Sequence, residues 1–163
     1  SLPRAFATAL ETIPAQVPYL AAPSEALAQW RRRLDGPGLK VGIAWAGSPL
    51  HRSDARRSID VEALAPLLKL DGVRFFSLQV GERAGDLARL PAGSVTDLAP
   101  QLTDFAETAA AVAHLDLVIA VDTALVHLAG ALGRPAWVMV RARPDWRWLR
   151  DHYPHWHIVV RNG

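Results

Sequence analysis

Three side chains able to meet a phosphate stand close together in the stretch AVDTALVHLAGALGRP, residues 120–135: Asp122, Thr123 and His127. The stretch runs from an apolar, β-branched segment into a helical pattern, so these residues fall where a strand hands over to a helix. The first turn of a helix carries free backbone N–H groups and the positive end of the helix dipole, which together seat an anion. Thr123 adds a hydroxyl donor. His127 lies one turn further along the same face, where an imidazole N–H would reach a diphosphate oxygen. A carboxylate repels phosphate, so Asp122 would instead cap the helix or accept from a ribose or sugar hydroxyl. The same residues also fit a purely architectural reading, with Asp as N-cap, Thr as first-turn residue and His packed against the helix.

The elements that position this junction alternate regularly. LKVGIAWA (39–46), VRFFSLQ (73–79), SVTDLA (94–99), DLVIAV (116–121), PAWVMV (135–140) and HWHIVV (155–160) read as strands. Helices are expected at 60–70, at 81–90, at 104–115 with Thr103 or Asp104 as cap, and after 122, closed by Gly133. Near-continuous apolar strands separated by helices predict parallel βαβ units. The expected fold class is α/β: a doubly wound, mostly parallel sheet of five to six strands with helices on both faces. Ligands bind such sheets outside the carboxyl ends of the strands, where the junction lies. Residues 1–23 hold four prolines and little periodicity, and Ser24 is expected to cap a short helix ending before Gly36. We therefore read residues 1–38 as a lead-in with one short helix and 39–163 as a Rossmann-like domain.

Composition narrows the function classes. At 163 residues, 50% hydrophobic and 21% charged, the chain has the size of one globular domain. Its net charge of +2 leaves no electrostatic footprint for a nucleic-acid partner, although the pI is near 9.5. The absence of cysteine excludes disulfides and thiolate metal sites and fits a reducing compartment. No apolar run approaches the roughly 20 residues that span a bilayer, and SLPRAFATAL does not read as a signal peptide. A cytoplasmic protein without a transmembrane segment is expected, and the opening without methionine is expected of a piece of a longer chain.

DTALVHLAGALGRP resembles the Asp-(Thr/Ser)-x-x-x-His-Leu-Ala-x-Ala-Leu-Gly-x-Pro motif in the C-terminal half of family 9 glycosyltransferases, the heptosyltransferase-like GT-B enzymes. It is more similar still to the glycosyltransferase-like domain that follows tetratricopeptide repeats in many bacterial proteins. LETIPAQVPYL, VGIAWAGSPLHRSDARRSI, FFSLQVG, LTDFAETAAAVAHLDLVIAVDTA and PDWRWL resemble that domain in the same order, so the likeness runs from about residue 2 to about residue 150.

The resemblance implies that the helix after Asp122 and Thr123 cradles the diphosphate of a nucleotide-sugar donor, and that Asp122, Thr123 and His127 contact that donor. It implies that the loop GSPLHRSDARRS brings groups to the same phosphates: Gly47 and Ser48 through N–H groups of a tight turn, and Arg57, where heptosyltransferases tend to carry lysine, through a bidentate clamp. His51, Arg52 and Arg56 are weaker candidates, and a solvated basic loop is the plainer reading. In SLQVGER, Gln79 would hydrogen-bond a base or ribose, whereas Val80 stands where the family has lysine. Trp146 or Trp148 in PDWRW would wall the cleft or stack on the base, or else pack in the core. His152, His155 and His157 fit no standard zinc spacing, and the tail from Asp151 departs from the family pattern.

The resemblance further implies an inverting glycosyltransferase with no cofactor, its donor carrying a UDP or ADP moiety. The acceptor site and general base belong to an N-terminal GT-B domain not contained here. Asp54, read as loop, and Asp145, read as a cap, are poor bases. The chain is thus expected to be inactive alone, with an N-terminal domain and tetratricopeptide repeats as partners and with self-association of the separated half. The alternative is a non-catalytic binding or scaffold domain that keeps the half-fold. Absence of G-x-G-x-x-G and of G-x-x-x-x-G-K-[ST] argues against an unrelated dinucleotide or P-loop enzyme.

Overall fold

Leu39–Ala44 (β1), Val73–Ser77 (β2), Val95–Asp97 (β3), Leu117–Val121 (β4), Ala136–Arg141 (β5) and Trp156–Arg161 (β6) form one sheet in the order β3-β2-β1-β4-β5-β6. The computed structural model describes residues 2–13, 16–52, 54–141, 148 and 156–161. Every neighbouring pair is parallel. The sheet is therefore the expected doubly wound one, and its winding reverses between β1 and β4.

Alternation along each strand divides the core into two faces. Val41, Ile43, Phe75 and Ile119 point to one, and Ala44, Phe76, Val118 and Ala120 to the other. The helices, numbered after the short α1 (Leu2–Ala5), are α2 (Ser24–Arg33), α3 (Asp54–Arg57), α4 (Phe105–Ala113) and α5 (Ala124–Ala131). Helices α2, α4 and α5 cover the second face, where Trp30, Ala110, Val112, Val126 and Ala129 are buried.

On the first face, 3-10 turns at Val61–Leu64, Leu67–Lys69 and Glu82–Arg89 stand where α-helices were expected at 60–70 and 81–90. Pro66 lies between the first two, where it can donate no backbone hydrogen bond. Gly85 weakens the third.

Helix α2 is not an appendage to the sheet. Trp30 is fully buried, and its Nε1 donates to Glu107 Oε2 on α4 at 2.7 Å. The helix starts one residue earlier than expected, because the Leu27 N–H already reaches the Pro23 carbonyl at 3.0 Å. Ser24 is thus its first residue, and no side chain caps it. The preceding segment is tied to the end of α5, since the Tyr19 and Leu20 N–H groups both donate to the Ala131 carbonyl, at 2.9 and 3.1 Å. Gly133, at φ +68, follows the last turn of α5 as expected.

Trp30→Ala is expected to destabilise the chain by about 3–5 kcal/mol, through the cavity it leaves under α2. Urea unfolding measures this. A loss below about 1 kcal/mol would show that α2 folds apart from the sheet.

Candidate functional site

Where the winding reverses, the loops after β1 and β4 diverge and leave a crevice at the carboxyl edge of the sheet. A cleft of about 660 Å³ lies there. Its walls are the loop after β1 (Gly47, Ser48, Pro49 and Arg57), the loop after β2 (Gln79 to Arg83), and the first turns of α4 and α5.

Both helix starts face the cleft, with different electrostatics. Asp104 caps α4, accepting from the Glu107 N–H at 2.8 Å, as the sequence led us to expect. At α5 the N-cap position falls to Thr123, not to Asp122 as the architectural reading had it, and the Thr123 side chain makes no cap hydrogen bond. Its first-turn N–H groups keep their partial positive charge toward the cleft. Burial of Leu125, Val126, Leu128 and Ala129 fixes the helix that presents them.

Arg57 stands beside this open end. Its Nε donates to Asp54 Oδ1 at 3.1 Å, and its Nη1 donates to the Asp122 backbone carbonyl at 3.3 Å. Asp54 is not free loop material: it is 7% exposed and also accepts from Ser58 Oγ at 3.0 Å. The Gly47 N–H, expected to be free for a ligand, donates to Ser58 Oγ at 3.1 Å. What Gly47 offers the cleft is therefore a closely approaching backbone.

Gln79 is buried, and its Oε1 accepts from the Trp45 and Ala46 N–H groups at 3.1 and 2.9 Å. This carboxamide buckles the loop after β2 to the loop after β1 while lining the cleft. Next to it Val80 is half exposed, and the cation at this wall is Arg83. Arg83 Nε donates to Asp86 Oδ2 at 2.6 Å, and that oxygen also accepts from Trp45 Nε1 at 3.3 Å. The Arg83 hydrogen bond holds the Asp86 carboxyl below its ordinary value of 3.8 despite partial desolvation.

The structure thus brings Gly47, Ser48, Arg57, Gln79 and Thr123 together around one cleft. The Asp122 and His127 side chains sit on its flank: His127 Nε2 lies 3.7 Å from Asp122 Oδ1, and its ring stacks on Trp148 at 5.3 Å. Trp148 is buried in the core. His51, Arg52 and Arg56 are exposed and off the cleft walls. Trp146, Asp145, His152 and His155 lie outside the described residues, as does the side chain of His157. Among the described residues no three His, Cys, Asp or Glu side chains gather as a metal site would require.

Sequence reasoning missed Arg83, Phe105 and Thr108 as cleft residues. The i,i+3 spacing of Arg83 and Asp86 was the available signal for the first. Phe105 looked like an ordinary helix start, yet it is 65% exposed at the cleft.

Residues 62–138 match the family model for glycosyltransferase family 9 (heptosyltransferase). Protein FlbA of Caulobacter vibrioides is 33% identical over 163 aligned positions, which take in 93% of this chain and 26% of FlbA. Among solved structures, E. coli ADP-heptose LPS heptosyltransferase II superposes with a TM-score of 0.65 at 17% identity, over 91% of this chain and 47% of that one. A family 9 glycosyl transferase from Veillonella parvula gives 0.64 at 14%, over 87% and 42%. E. coli heptosyltransferase WaaC with ADP-2-deoxy-2-fluoro heptose gives 0.59 at 18%, over 94% and 46%. The chain therefore spans about a quarter of the curated relative and less than half of each solved structure. It has the Rossmann-like fold of one half of these enzymes and resembles family 9.

Gln79→Leu leaves two buried N–H groups without their acceptor and is expected to cost about 1–3 kcal/mol for each. Chemical denaturation checks this, and an unchanged midpoint would contradict the buckle.

Because the Asp86 pKa is depressed in the folded chain, the unfolded chain binds more protons as acid is added. The stabilisation is complete above the ordinary value of 3.8 and is lost as pH falls through the lowered folded value. Urea midpoints of the parent and Asp86→Asn should differ at about pH 5 and draw together as pH falls below the ordinary value of 3.8. A constant gap would refute this assignment.

Proposed function

We propose that this chain, a domain resembling glycosyltransferase family 9, is the nucleotide-diphosphate-sugar-binding half of an inverting glycosyltransferase that moves a sugar from a nucleotide sugar to an acceptor. One observation carries the reading. The α5 N-terminus, whose N-cap Thr123 makes no side-chain cap bond, opens onto a cleft at the winding reversal, with the Arg57 guanidinium held beside it. Backbone donors and a fixed guanidinium suit a diphosphate, and they would stabilise the charge that the leaving nucleoside diphosphate acquires. Thr123 supplies a hydroxyl at the same place.

The α4 end of the cleft is already satisfied by Asp104 and carries negative charge. It is the place for the uncharged nucleoside, beside the exposed Phe105 ring and the Thr108 hydroxyl. No cofactor is needed: the nucleotide sugar, with a UDP or ADP moiety, is a substrate.

Inverting transfer also needs a base to deprotonate the acceptor. Asp54 is committed to Arg57 and Ser58, and Asp104 caps α4. As the family resemblance implies, we assign the base to a companion N-terminal GT-B domain, without which the chain is inactive. Tetratricopeptide repeats are further partners of the full-length protein, which we place in the cytoplasm. Among the described residues no helix is long and apolar enough to cross a membrane.

Calorimetric titration with ADP, UDP and GDP tests the reading. One of the three should bind, and Arg57→Ala should weaken it about 10- to 100-fold, the loss of a charge-assisted contact, with the fold retained by circular dichroism. Absence of binding by the full-length protein would favour a scaffold domain that keeps the half-fold.

A further inference from the structure

We propose that Asp54 is the positioning carboxylate of this anion seat, holding Arg57 and the Gly47 turn in place before a ligand arrives. The inference rests on the reading of the cleft as a diphosphate site. Asp54 opens the single turn of α3, and residues three and four positions on share its face. Both of its oxygens are used there: Oδ1 accepts from Arg57 Nε and Oδ2 from Ser58 Oγ. Each partner extends the tie to a different cleft wall. Ser58 Oγ accepts from the Gly47 N–H, and Arg57 Nη1 donates to the Asp122 carbonyl at the start of the α5 junction.

One carboxylate thus joins the loop after β1 to the junction after β4, across the winding reversal. A β-carbon on Gly47 would collide with both the Arg57 guanidinium and the Asp54 carboxylate, so the turn is closed tightly over the pair. A nearly buried carboxylate is stable only when paired and hydrogen-bonded, and here both conditions hold. Its function is preorganisation: an unsupported arginine would have to surrender its rotamer freedom on binding, at the expense of affinity. Asp54 touches no ligand in this scheme and acts through Arg57.

Two measurements separate positioning from simple support of the fold. In the ligand-free chain, nitrogen-15 NMR should show an Arg57 Nε–H signal protected from exchange. Asp54→Ala should speed that exchange at least about tenfold, while Ser58→Ala, which removes only the Gly47 arm, should leave it protected. Should Asp54→Ala not fold, Asp54→Asn gives the same comparison with one acceptor and the charge removed.

In calorimetry, Asp54→Ala should weaken the nucleoside diphosphate about tenfold and change the corresponding nucleoside less than about twofold. In the Arg57→Ala background it should weaken the diphosphate no further. A protected Arg57 signal in Asp54→Ala, or its equal loss in Ser58→Ala, would overturn the proposal. So would parallel losses for nucleoside and diphosphate. A parent protein that binds no nucleoside diphosphate would remove the functional reading instead, and the exchange measurement would still decide whether Asp54 holds Arg57.

Discussion

Strand β1 occupies the centre of the sheet beneath two leucines that pack over a residue with no side chain. A β-carbon on Gly42 would lie 2.5 Å from Leu78 Cδ1 and 2.6 Å from Leu115 Cδ1, distances no packed carbon tolerates. Those two leucines belong to the segment leaving β2 and the segment entering β4, and both are buried. With Gly42 they close over β1, which pairs with β2 through Leu39–Ile43 and with β4 through Val41–Ala44. The side-by-side placement of β1 and β4 creates the winding reversal, and the cleft follows from it.

The cleft is then made rigid by side chains reaching across the loops. Gln79 fastens the loop after β2 to the loop after β1, and Arg57 fastens the loop after β1 to the junction after β4. Loops on a rigid sheet ordinarily carry function together with mobility. Here the backbone around the cleft is held by buried and partly buried hydrogen bonds, while the Thr123 side chain leaves the α5 terminus without a cap bond from the N-cap position. The contrast between α5 and the self-capped α4 gives the cleft a polarity, with one end receptive to an anion and the other not.

Much of the fold was legible in the chain. Apolar, β-branched runs such as DLVIAV and VRFFS declare buried parallel strands through their composition alone. The covering of the first face was less legible: Pro66 and Gly85 turned two expected helices into 3-10 turns. The role of α2 was also hidden, since a lone Trp30 in a short amphipathic segment does not announce that it will lie under α4 with its Nε1 on Glu107. At the site, Thr123 and Arg57 could be named because the types of residue at a strand-to-helix junction and in a basic loop suggest phosphate chemistry. Asp54 was passed over because its i+3 and i+4 spacing to Arg57 and Ser58 has meaning only if that loop forms a helical turn.

By itself, then, the sequence determined the strand and helix alternation, the carboxyl-edge location of the candidate residues and the family likeness, since each depends on local pattern. Tertiary structure decided which of those residues share a wall. It placed Gly47, Arg57, Gln79 and Thr123 around one cleft, set the His127 side chain on the flank against Trp148, and recruited Arg83. The physical reason is separation along the chain. The Arg57 contact with Asp122 spans 65 residues and the Gln79 contact with Trp45 spans 34, so neither exists until the sheet has brought the ends of its strands together.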